Sequence, residues 1–238
     1  SIKENNTVRI SEANGISFSA RTALVPYAQH FGVVWTDDRE GRRVFFRQIG
    51  LDGTLLGPEM PLTGTEKVSE ATDMIWRDSS YHVAWDERHD THVDIIVSKV
   101  TIDRERPRIE PYLRVHEEGM SFTGARLLRM DSTVGVVMRG YSVSHGWGIY
   151  LAVLPPEGDT NAISLSRVPL NVTTPLHVVA ADDHEKAVLV WTDRVGEQVR
   201  VKLMLWPNDN TKAPQILNLG QMNEASGAPA LVGTPEGY

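Results

Sequence analysis

Three carboxylates stand where their chemistry would matter: Asp37 in Asp37-Asp38-Arg39-Glu40, Asp86 in Asp86-Glu87-Arg88-His89-Asp90, and Glu118 in His116-Glu117-Glu118. Two carboxyl groups about 5 to 9 Å apart suffice to hydrolyse a glycosidic bond, one as acid and the other as base or nucleophile. The same residues have a plainer use. An acid at a strand end accepts the amides of its own turn or pairs with an arginine one or two residues on, locking the loop without a ligand. Because the acid and arginine return in three places, building the fold is the leading reading for them and convergence on a ligand is the alternative.

A second set is aromatic. Tyr141, His145 and Trp147 lie among Ser142, Ser144, Gly146 and Gly148, a segment expected to be an exposed loop. Aromatic faces beside hydrogen-bonding groups suit sugar rings or peptide partners. The competing reading has Trp147 folding back to cap Met138 or opening the strand Gly148-Ile149-Tyr150-Leu151. His89 and His92 are three apart around Asp90, but they fall in a turn and not on a helix, so no metal site is expected. There is no Gly-x-Ser-x-Gly elbow and no glycine-rich phosphate loop, and no cofactor is expected.

What must position these residues is a repeat. Val33-Val34-Trp35-Thr36-Asp37-Asp38-Arg39 returns as Val83-Ala84-Trp85-Asp86-Glu87-Arg88 and as Leu189-Val190-Trp191-Thr192-Asp193-Arg194. A further copy, Val134-Gly135-Val136-Val137-Met138, has methionine in place of tryptophan. A period near 50 residues predicts a β-propeller of four-stranded blades. Each marker run is apolar and β-branched and should be a buried second strand. Trp35, Trp85 and Trp191 should therefore be core.

The flanks recur too. First strands are predicted around residues 22–25, 73–76, 126–130 and 177–180. Third strands alternate polar with apolar at 43–49, 93–100 and 199–205, as half-buried strands do. Fourth strands follow at 59–62, 109–113, 163–167 and 215–219, two of them carrying proline, which is tolerated mainly at an edge. Turns are placed at 51–53, 155–159 and 207–210, and no helix is expected. Residues 6–10 read as a fourth strand and 228–232 as a first strand, each without its companions. Residues 1–238 thus form one propeller domain of four full blades, either a segment of a longer propeller, which is preferred, or a closed ring with extra terminal residues.

The chain has 238 residues, a net charge of −7 and no cysteine. Scattered arginines in an acidic chain argue against a nucleic-acid partner, because phosphate binding needs a clustered basic face. No apolar run approaches the roughly 20 residues of a membrane span.

The phrase Val-Trp-Thr-Asp-Asp-Arg-Glu-Gly, followed by a strand, Leu51-Asp52-Gly53-Thr54 and Gly57-Pro58-Glu59, resembles the repeats of secreted or cell-surface bacterial β-propeller proteins. The resemblance implies an extracellular or periplasmic propeller used for binding or as a spacer. The repeat departs from it at Met138, Arg139 and Gly140. The reading preferred on these grounds is a non-catalytic module that recognises a protein or glycan partner through its loop face, with Tyr141, His145, Trp147, Asp37, Asp86 and Glu118 as candidate ligand-binding residues. The alternatives are a carbohydrate-active hydrolase with converging carboxylates and a structural spacer in a larger surface protein.

Overall fold

The computed structural model describes residues 7–12, 15–26, 28–39, 41–103, 106–110, 113–130, 133–155, 163–170, 172–182, 186–207 and 215–222. The described residues are all-β, with no helix among them. Four antiparallel sheets follow one another in sequence order, and each is a blade of a β-propeller.

Blade 1 comprises β1 (Ser17–Leu24), β2 (His30–Asp37), β3 (Arg43–Gly50) and β4 (Leu55–Pro61). Blade 2 comprises β5 (Val68–Arg77), β6 (Ser80–Arg88), β7 (Val93–Asp103) and β8 (Arg106–Ile109), and β9 (Leu113–Val115) also pairs with β7. Blade 3 is β10 (Ser121–Met130), β11 (Thr133–Ser142), β12 (Gly146–Val153) and β13 (Ser164–Arg167). Blade 4 is β14 (Pro175–Asp182), β15 (Lys186–Val195), β16 (Gln198–Pro207) and β17 (Gln215–Met222).

Each marker lies on a second strand, and all four are buried: Trp35, Trp85, Met138 and Trp191 are each no more than 2% exposed. Large apolar side chains on such a strand need cover on both faces; Trp35 packs with Val33, Phe45 and Ile49 of its own blade and with Ile10. The chain resolves into two compact units, residues 1–90 with 96–112 and residues 91–95 with 113–238. In the first, Trp85, Tyr81 and Met74 of blade 2 pack with Val34, Val44 and Phe46 of blade 1. In the second, Trp191, Leu189 and Met204 of blade 4 pack with Leu128, Val137 and Ile149 of blade 3.

A β-bulge recurs in the first strand of every blade, between Phe18 and Arg21, Ala71 and Asp73, Thr123 and Arg126, and Pro175 and His177. Such bulges bend and twist the strand beside the marker. Arginine binds the carbonyls the bulge turns outward. Arg21 donates from Nε to the Thr72 carbonyl at 3.0 Å, and Arg139 donates to the Leu176 carbonyl at 2.5 Å.

Two strand assignments need correction. Residues 109–113 are not one strand but the end of β8 and the start of β9. Glu110, the described residue between them, belongs to neither strand. Residues 7–10 form no strand; Ile10 instead packs against Val33, Trp35, Phe45 and Ile49, and its carbonyl accepts from Arg47 at 3.0 Å. Residues 228–232, and the turns expected at 156–159 and 208–210, lie outside the described residues.

Candidate functional site

In three blades the acid two residues past the marker ties down the linker that enters its own blade. Asp37, fully buried, accepts from Ser17 Oγ at 2.8 Å, Ser11 Oγ at 3.3 Å and the Arg39 amide at 3.0 Å. Burial pushes its carboxyl up, but the Arg39 amide, the Ser17 hydroxyl and the Arg39 charge hold it below the usual carboxylate range. Arg39 in turn pairs with Glu59. Asp193, 1% exposed, accepts the amides of Thr173 and Thr174 at 2.9 Å each and pairs with Lys202 at 3.2 Å. In blade 2 the equivalent residue is Glu87, not Asp86, and it pairs with Lys67 at 3.4 Å. Asp86 is half-buried on β6 opposite Glu70.

Blade 3 breaks this rule. The position two past Met138 is Gly140, and a Cβ there would lie 2.6 Å from the Tyr150 ring and 2.9 Å from Phe122. The packing of those rings excludes an acid, so the linker 116–120 has no such anchor from β11. At this point a cleft of about 610 Å³ opens, lined by His116, Glu118, Met120 and Ser121 of the linker side and by Tyr141, Ser142 and Val143 of β11 and its turn, with Thr91 and His92.

The segment 141–147, expected as a loop, is a β-hairpin. Tyr141 pairs with Trp147 and Ser142 with Gly146 across a turn at 143–145. Trp147 stands at the start of β12, as the competing reading expected, and its ring lies 5.2 Å from that of Tyr141, tilted by 50°. Tyr141 is 40% exposed, so the supported ring presents a face to solvent at the cleft. His145 is held in the turn, its Nδ1 2.8 Å from Ser144 Oγ, while Ser142 Oγ accepts the His145 amide at 3.1 Å.

Beneath the cleft sits a buried carboxylate that the sequence analysis did not single out. Asp94 is fully buried and bonded to Arg114 Nε at 2.6 Å and His116 Nδ1 at 2.8 Å, with His92 Nε2 at 3.4 Å. The His92 and His116 rings are 5.2 Å apart. Burial raises the Asp94 carboxyl, but the His116 and Arg114 hydrogen bonds and charges bring it below the usual range. An ionised carboxylate only accepts, so His116 carries its proton on Nδ1, and in the neutral ring Nε2 is the acceptor. The Asp94 oxygens thus join a guanidinium and imidazoles in one hydrogen-bond network. The backbone joins in, with Val93 N donating to Ser121 Oγ at 3.1 Å.

Of the residues expected to contact a ligand, Tyr141 and Glu118 line the cleft, Trp147 backs Tyr141, and His145 sits in the adjoining turn. Asp37 and Asp86 belong to the first unit. Asp94, Arg114 and His116 complete the site. Asp94 had a sequence signal: it is a charge inside the apolar run Val93-Asp94-Ile95-Ile96-Val97, where burial demands partners.

No family model matches the sequence, and no curated protein does. Among solved structures the chain is similar to the subtype N10 neuraminidase-like protein of A/little yellow-shouldered bat/Guatemala/060/2010, with a TM-score of 0.57 and 9% identity, over 85% of this chain and 59% of that one. The chain thus spans less than two thirds of that protein's length, and at this identity the likeness is one of fold alone.

Proposed function

We propose that this propeller is a non-catalytic binding module that holds a glycan in the blade 3 cleft. The observation that carries the reading is the coincidence of the cleft with the blade where Gly140 replaces the linker-binding acid, leaving Tyr141 as a supported aromatic wall beside His116, Glu118 and Ser142. A sugar ring stacks its C–H face on an aromatic ring and spreads hydroxyls to neighbouring acceptors and donors. The Glu118 carboxylate accepts such hydroxyls, and His116 Nε2 and the Ser142 hydroxyl exchange hydrogen bonds with them. Among the described residues lining the cleft, Glu118 is the one carboxylate, which favours binding over hydrolysis by a carboxylate pair. The extracellular or periplasmic location that the repeats imply belongs to the same reading.

The test is a glycan array followed by titration calorimetry of the best saccharide. Tyr141→Ala should weaken binding about tenfold or more, since a stacked aromatic contributes roughly 1 to 3 kcal/mol. His116→Ala should weaken it severalfold. No saccharide binding at millimolar concentration, or wild-type affinity in Tyr141→Ala, overturns the reading.

A further inference from the structure

We propose that the outer edge of blade 4 is a self-association site, at which β17 pairs antiparallel with β17 of a second copy of this chain. Among the described residues β17 pairs only with β16, so its other side presents the amide and carbonyl row that recruits a strand. Its described side chains are all exposed, including Ile216 at 49%, Leu217 at 45% and Leu219 at 55%.

The other three blades guard the same edge chemically. β4 carries Pro58, Glu59 and Pro61, β8 carries Arg106, Pro107 and Arg108, and β13 ends in Arg167. Proline and charge are the usual means by which outer strands avoid pairing. β17, with the sequence Gln-Ile-Leu-Asn-Leu-Gly-Gln-Met, has neither; its one irregularity is a bulge at Leu219, which leaves Gln215–Asn218 as a regular, uncharged edge.

Symmetry selects the occupant. In a two-fold pair each residue meets the same set from the partner, so a charged strand sets like charges against each other, whereas an uncharged one is self-complementary. A second copy also supplies a strand already extended over Gln215–Asn218, the part of β17 that pairs in regular register before the bulge at Leu219. One strand pair buries little area, so the dimer should be weak, with a dissociation constant of about 1 to 100 µM.

Sedimentation velocity of the full chain from about 5 to 500 µM should show a monomer–dimer equilibrium in that range. Leu217→Lys combined with Leu219→Lys should raise the dissociation constant at least tenfold while far-UV circular dichroism is unchanged. The chain has no cysteine. A nitroxide at Asn218→Cys should therefore report a label-to-label distance below about 20 Å, because paired strands lie about 5 Å apart. A monomer throughout, or a dimer that the lysines and the label do not sense, overturns the proposal.

Discussion

Replacing Asp193 by alanine separates a blade-building acid from a ligand-binding one. Asp193 is 1% exposed and satisfies two linker amides, Thr173 and Thr174, at 2.9 Å each, and Lys202 at 3.2 Å. Hydrogen bonds to a charged group contribute roughly 1.5 to 3 kcal/mol each. The substitution also leaves the Lys202 ammonium, 15% exposed, without this counter-charge. Breaking a buried pair from one side costs about 3 to 5 kcal/mol. The expected loss in urea unfolding, followed by tryptophan fluorescence, is therefore about 3 to 5 kcal/mol. Asp193→Asn keeps one acceptor oxygen and should lose less. Adding Lys202→Met to Asp193→Ala should recover part of the loss, because the stranded charge is gone. A loss below about 1 kcal/mol, with saccharide affinity abolished instead, would refute the assignment of this acid to the fold.

Trp85→Ala, at a marker buried between blades 1 and 2, should cost about 3 to 5 kcal/mol in the same assay. Gly140→Val forces two methyls toward Tyr150 and Phe122, and overpacking of this kind should cost about 1 to 3 kcal/mol. His82, whose Nε2 is buried with no hydrogen-bond partner among the described residues, has its pKa lowered by burial from 6.5 to about 4. The folded chain thus keeps His82 neutral while the unfolded chain takes up a proton below about pH 6.5. Stability is full above that value and falls as the pH drops toward 4, by about 2 to 3 kcal/mol from this group. His82→Leu should remove that part of the acid sensitivity, as measured by urea unfolding at pH 7 and pH 4.5.

The blades were legible because burial acts at a fixed period: Trp35, Trp85 and Trp191 advertise second strands, and Met138 could be aligned on its neighbours although its side chain differs. The site was half legible. Gly140 and the aromatics Tyr141 and Trp147 mark where the repeat fails, and the cleft is there. What periodicity could not give is partnership between segments. Asp94 and His116 are 22 residues apart, on β7 and in the linker beyond β9, and only the pairing of those strands brings them to 2.8 Å. The hairpin at 141–147 was missed because serine and glycine read as loop, whereas the register set by β11 and β12 continues through Tyr141 and Trp147. Asp86 was aligned by its place beside the marker, but the linker-binding position is one residue later, at Glu87, because a strand's faces alternate.

The most direct test of the cleft as the binding site is amide hydrogen exchange, read by mass spectrometry with and without the best saccharide from the array. The account predicts protection in segments 116–121 and 141–147, and little change in the equivalent linker and turn of blade 4, 172–175 and 194–198. Protection confined to any other blade, with segments 116–121 and 141–147 unchanged at saturating saccharide, would contradict it.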